Sequence, residues 1–229
     1  QYKQILAEGT NASFGNFSIM LRDSLGFMPH YQRGVPKLDL CKTGENGSPW
    51  FLWPIGGRTI NYRWETPNSF YYRYLYLVPN PAGWFLALAA VIVSASLLIA
   101  HIFVGGFDLK QPYLLTVFLG MYVSYMAVMS QITRVMYLYH YFIPLIFAFL
   151  LCSLCIFEIR QVWRWPVTER IRTGFLFTCG VLVFLGFQFM RPLTYYSPIT
   201  DEQFKRRAII RLWDMKCVKC IRDNPIVRR

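Results

Sequence analysis

Four stretches of the chain run for 18 to 24 residues without an aspartate, glutamate, lysine or arginine: Trp84–Phe107, Pro112–Thr133, Val135–Phe157 and Thr173–Met190. Each is long enough to cross a hydrocarbon core about 30 Å thick. Lipid offers no partner to a backbone amide or carbonyl, so a run of this kind has to satisfy its polar groups within itself, as a helix does. The pattern predicts an all-α polytopic membrane protein with four transmembrane helices. Pro144 falls inside the third run and leaves its start the least defined. The period changes ahead of the first run. In SPWFLWPIGGRTINYRWE, Ile60, Tyr62 and Trp64 alternate with Thr59, Asn61 and Arg63, and Gly56–Gly57 marks a turn between two short strands. Residues 1–81 are therefore expected to be a small extramembrane segment containing a hairpin, 82–190 the four-helix domain and 191–229 a basic tail. The tail opens extended, at RPLTYYSPIT. It is expected to continue through DEQFKRRAIIRLWDMKCVKCIRD as a basic helix with Ile210, Trp213, Cys217 and Cys220 near one face. No internal repeat or low-complexity tract interrupts this order.

Composition agrees with the pattern. Only 16% of the 229 residues are charged and 18% are aromatic, and the mean hydropathy is +0.30. The tyrosines of NSFYYRYLYLVPNPAGWF and Trp84 suit the headgroup level, where an amphipathic ring keeps one end wet. The opening QYKQILAEG has neither an initiating methionine nor a signal peptide, which is expected of a processed chain, an expressed fragment or, most simply, part of a longer polypeptide.

Charge does not orient the helices. With four crossings both termini share a side, which holds 19 lysines and arginines against 5 on the other. Close to the membrane the balance reverses: Lys110 and Arg160, Arg164, Arg170 and Arg172 face only Arg73, Arg134 and Arg191. The positive-inside rule weights the proximal charges, so the two counts conflict.

Arg134 stands at the head of RVMYLYHYFIPLIF, among aromatics and between two apolar runs. Its planar, permanently charged fork suits a phosphate, and an ionisable group at membrane depth is a functional candidate. It also suits a corner residue that snorkels to water. His140 could hold a phosphate, carry a proton or bond within the bundle, while Tyr137, Tyr139 and Tyr141 fit an interfacial aromatic belt. His101, isolated in the first helix, is expected to be a structural hydrogen-bonder. Cys217 and Cys220 form a CxxC pair, open to redox or disulfide chemistry, or to zinc if Cys41 or His30 came from far away. Cys152 and Cys155 are expected to serve packing. The basic tail favours anionic lipid over nucleic acid. Asn11, Asn16 and Asn46 head N-glycosylation sequons, meaningful only in a eukaryotic lumen. All twelve carboxylates are placed outside the four helices, and no Ser/His/Asp arrangement, phosphate-cradling glycine loop or paired carboxylate motif stands out. Candidate carboxylates are confined to Asp23, Asp39, Glu45, Glu65 and the tail.

GSPWFLWPIGGRTINY, PNPAGWF, RVMYLYHYFIPLIF and PLTYYSPI, taken in order, resemble successive motifs of the C-terminal four-helix region of protein O-mannosyltransferases, over about residues 46 to 213. The resemblance implies transfer of mannose from a polyprenyl phosphate to Ser or Thr hydroxyls of exported proteins, with inversion at the sugar carbon and no cofactor or metal. It places the termini and the Arg134 loop on the periplasmic or luminal side and Arg160–Arg172 in the cytoplasm. It assigns the lipid-linked phosphate to Arg134, with His140 and Tyr141 lining the same pocket and Trp50 and Trp53 covering it. The family's catalytic acid, an aspartate of the first outer loop, lies upstream of the region matched here, so no catalytic residue is assigned within this chain and a missing N-terminal catalytic part is an expected partner. Residues 1–45 are too short for the β-trefoil insertion of eukaryotic members, which points to a bacterial inner membrane in preference to an endoplasmic reticulum membrane. Two other readings remain: a non-catalytic four-helix assembly partner or scaffold, and a small transporter or channel, for which the spans lack a polar stripe.

Overall fold

The computed structural model describes residues 14–41, 45–66, 71–162 and 165–215. Four helices are long and apolar enough to cross a membrane: α2 (Pro81–Phe103), α3 (Pro112–Ser130), α4 (Phe142–Glu158, entered through a 3-10 turn at Leu138–Tyr141) and α5 (Glu169–Thr194). The chain is an integral membrane protein. Helix α4 packs against both α2 and α3, with Ala90, Leu115, Leu151 and Cys155 at the centre. The α5 side chains are mostly turned outward, Phe177 being 73% exposed, as a lipid-facing helix requires. Asn80 joins α5 to α2: its side-chain oxygen caps α2 at the Gly83 amide (3.1 Å), and its amide donates to the Val183 carbonyl (2.8 Å).

The third span starts later than its apolar run. Residues 132–137 lie outside any helix, with Val135 N–H donating to Pro36 (3.0 Å), Leu38 N–H to Thr133 (3.3 Å) and Ser48 N–H to Met136 (2.7 Å). An apolar run does not distinguish a helix from a buried extended segment. Pro144 decides the matter, because in a helix from Phe142 it occupies the first turn, where its missing N–H costs nothing. A helix from Val135 would place it in the interior.

The hairpin also lies elsewhere than around Gly56–Gly57. Trp50–Ile55 is a 3-10 helix, with Gly56 as its left-handed C-cap at φ 70°. Pro49 and Pro54 remove the amides a strand there would need. The pairing is instead β1 (Ile60–Glu65) with β2 (Tyr72–Leu77), antiparallel and bulged between Asn61 and Arg63. The bulge breaks the expected alternation, leaving Tyr62 and Trp64 exposed.

Tyr72, Tyr74 and Tyr76 are buried. They enter a core with Met190, Leu193, Phe204 and Trp213. That core joins segments from either side of the four spans, since β5 (Pro198–Ile199) extends the same sheet beside β2. The tail helix α6 (Asp201–Arg207) is only seven residues long, much shorter than expected. Beyond it the chain must extend to bring Trp213 onto the N-terminal segment. There the indole donates to Ile55 O (3.0 Å), and Trp213 O accepts from both the amide and the hydroxyl of Thr59 (2.8 and 2.9 Å). Cys217 and Cys220 lie outside the described residues.

Two carboxylates stand in the long helices after all: Glu158 ends α4 and Glu169 begins α5. Glu158 is buried and accepts from the amides of Lys110 (2.8 Å) and Gln111 (2.6 Å), supplying α3 with the cap that the Gln111 side chain does not provide. Replacing Glu158 with Ala should cost about 1–3 kcal/mol by orphaning these donors. Thermal unfolding in detergent measures the loss, with Glu158→Gln expected to fall in between. His101 is a structural bonder, its Nδ1 lying 2.9 Å from Phe107 O. Cys155 is buried against Ser94.

Candidate functional site

The connection between α3 and α4 is short and threaded between two other segments, so its side chains are held at the mouth of two spans. Arg134 forms a β-bridge with Lys37 through its backbone, which fixes the Cα and leaves the guanidinium to project. The side chain is half-buried, and among the described residues it makes no recorded hydrogen bond or ion pair. It lines a hollow of about 380 Å³ with Ser24, Phe27, Met28 and Tyr31 of helix α1 (Phe14–Gly34). An adjoining hollow of about 520 Å³ shares Phe27 and Tyr31 and adds His30, Glu45 and Tyr137. Burial foremost, and then the Glu45 carboxylate, hold the Tyr137 phenol above its usual range. One permanent positive charge thus stands beside a space with hydroxyl, imidazole and carboxylate groups on its walls.

A second constellation sits just along the chain. His140 Nδ1 lies 3.2 Å from Tyr137 N and 2.9 Å from Tyr137 O, so the backbone serves it in either tautomer and leaves Nε2 for other chemistry. The imidazole stacks on Trp53 (centroids 5.9 Å apart, planes at 8°) and on Tyr139 (4.5 Å). Trp53 is fully buried. Its indole donates to Ser48 O (3.0 Å), and its carbonyl accepts from the Trp84 indole (2.8 Å). Tyr141 is buried under Trp84, with its hydroxyl 3.0 Å from that of Tyr122. Trp50 is 37% exposed and packs edge-on against Phe51.

The structure therefore brings Trp53, His140 and Tyr141 into one cluster beneath the cap, while the two hollows flanking Arg134 are walled by other residues. Helix α1 is the addition, and its one sequence signal is the helical spacing of Phe14, Phe17, Leu21, Leu25 and Met28; Glu45 and Tyr137, expected as a candidate carboxylate and a belt residue, join it at the adjoining hollow. Among the described residues no group of three or more His, Cys, Asp or Glu side chains could hold a metal ion.

Four spans, with a cap woven from segments on either side of them and a cation at the mouth of two of them, define a polytopic membrane protein. Residues 37–213 match the family model described as the C-terminal four TMM region of protein-O-mannosyltransferase, and the chain belongs to that family. Among solved structures it resembles the S. cerevisiae protein O-mannosyltransferase Pmt1-Pmt2 complex bound to the sugar donor, with a TM-score of 0.62 and 19% identity. That match covers 91% of this chain and 28% of the other, so the chain spans little more than a quarter of the yeast protein's length. The comparison with curated proteins gave no match.

Proposed function

We propose that this chain is the donor-holding membrane part of an enzyme that moves mannose from a polyprenyl phosphate to Ser or Thr hydroxyls of exported proteins. The observation that carries the reading is the half-buried guanidinium of Arg134, unpartnered among the described residues and fixed at the mouth of two spans. A phosphate attached to a membrane-embedded lipid leaves the hydrocarbon at that depth. As the sugar–phosphate bond breaks, the departing phosphate gains negative charge, which a preorganised fork of donors stabilises more than it stabilises the bound donor. His140 and Tyr141, with Trp53 and Trp50 above, shape the donor side of the site. The catalytic carboxylate is supplied by sequence outside this chain, and the acceptor hydroxyl approaches from the capped face. That face, with both termini, is periplasmic if the membrane is a bacterial inner membrane and luminal if it is that of the endoplasmic reticulum. The yeast complex, solved with a sugar donor and a partner subunit, is consistent with this assignment.

The test is Arg134→Ala in the intact enzyme, assayed for transfer from the lipid-phosphate donor. Loss of the charge should lower kcat/KM by about a hundredfold or more while thermal stability is kept. Arg134→Lys should recover part of the activity, since an ammonium restores the charge without the fork. Normal transfer by the alanine variant would leave the four-helix scaffold as the better reading.

A further inference from the structure

The membrane face opposite Arg134 carries an arrangement that mannosyl transfer does not use. It is built from the described residues of the α2–α3 and α4–α5 connections, 104–111, 159–162 and 165–168. Glu158 ties these together by accepting from the amides of Lys110 and Gln111. Two residues on, Arg160 O accepts from Val167 N–H (2.8 Å), which closes the turn into α5 and brings the start of that helix alongside. Three cations, Lys110, Arg160 and Arg170, thus each stand within two residues of a span end on this one face, where a chain leaving the hydrocarbon meets the headgroups.

The acids of this face are consumed internally. Glu158 is buried on its two amides, and Glu169 pairs with Arg172. Arg172 is itself committed, with its guanidinium donating to Ile156 O (2.9 Å) and Ile159 O (3.5 Å) and lying over the Phe157 ring. Lys110, Arg160 and Arg170 are different: all three are exposed, and among the described residues no hydrogen bond or ion pair of their side chains is recorded. Two exposed carboxylates lie nearby in sequence, Asp108 and Glu169; Glu169 is paired with Arg172, so Lys110, Arg160 and Arg170 against Asp108 leave the patch a positive excess. Between Arg160 and Arg170, strands β3 (Gln161–Val162) and β4 (Trp165–Pro166) form a short ladder from which Trp165 projects, 77% exposed. An indole standing free on a ten-residue connection between two spans has the headgroup layer as its neighbour.

We propose that Lys110, Arg160 and Arg170, flanked by Trp165, bind the phosphodiester headgroup of an anionic phospholipid on this face. Each cation within a Debye length of the phosphate adds to the attraction, and the indole anchors the patch at the depth where phosphates lie. The site needs no part of the transfer reaction, so it stands whether or not Arg134 holds a donor.

The test uses the full chain, purified in detergent with equal amounts of phosphatidylglycerol and phosphatidylcholine, and counts the lipids that co-purify by mass spectrometry. Wild type should retain phosphatidylglycerol in about tenfold preference. The variant Lys110→Gln/Arg160→Gln/Arg170→Gln should lose the preference, while Lys205→Gln/Arg206→Gln on the capped face should keep it. A wash of wild type at about 0.5 M salt should also abolish it, which reads the same electrostatics without any substitution. Undiminished preference in the triple variant, preference that survives the salt wash, or equal retention of the two lipids by wild type would each overturn the proposal.

Discussion

Replacing Trp53 with Ala is expected to destabilise the protein by about 3–5 kcal/mol, the range for removing a large buried aromatic. The side chain is fully buried and stands where three segments meet. Its indole holds Ser48, its ring lies flat on His140, and its carbonyl receives the Trp84 indole from the first turn of α2. Alanine would open a cavity between the 3-10 helix Trp50–Ile55 and the 3-10 turn that leads into α4. The Trp84 bond survives chemically but loses the packing that positions it. Trp53→Phe should be milder, keeping most of the apolar area and forfeiting the bond to Ser48 O, for roughly 1–2 kcal/mol. Thermal unfolding in detergent ranks the two. Equal midpoints for wild type and Trp53→Ala would mean that the cap is not held by this contact.

Trp213→Ala is expected to be as severe, in a different place. Trp213 is fully buried within the tail, and its indole bond to Ile55, beside the bonds its backbone carbonyl accepts from Thr59, closes a loop of more than 150 residues. Losing the side chain removes about 3–5 kcal/mol of packing and releases the tail from the sheet of β1, β2 and β5. The spans do not depend on it, because their backbone bonds are internal. Limited proteolysis of the protein in vesicles should therefore cut the variant within the cap while leaving the four helices whole. Cleavage no faster than in wild type would show that α6 and β5 hold the tail unaided. Under the proposed function, the effect on transfer should be a loss of competent protein, in contrast to the lowered turnover of a folded protein expected for Arg134→Ala.

Some of this architecture is legible in the residues and some is not, for reasons that differ element by element. The spans are legible because a long charge-free run in lipid has a single viable conformation. Their ends are less so: the third run contains both the extended residues 135–137 and α4, and an apolar residue reads alike in either. Gly56–Gly57 looks like a hairpin turn, but the flanking prolines matter more, and the glycine caps a 3-10 helix. The site was partly visible. Arg134 stands out as a lone charge among aromatics, and Trp53 belongs to a recognisable motif. Helix α1, which walls the hollow beside Arg134, has only an ordinary apolar spacing, and Glu45 and Tyr137 carry no local mark of their shared surroundings.

By itself the sequence determined that the chain crosses a membrane four times, where the uncharged runs lie, and which family the order of its motifs resembles. Those properties follow from hydropathy and from residues close together in the chain. Only the tertiary structure decided that segments before the first span and after the last share one sheet, that Trp213 seats on Ile55 and Thr59, that Trp53 stacks on His140, and that Glu158 caps a helix beginning more than forty residues earlier. Each of these joins residues far apart in sequence, and local periodicity carries no information about which distant surface will satisfy a buried indole or carboxylate.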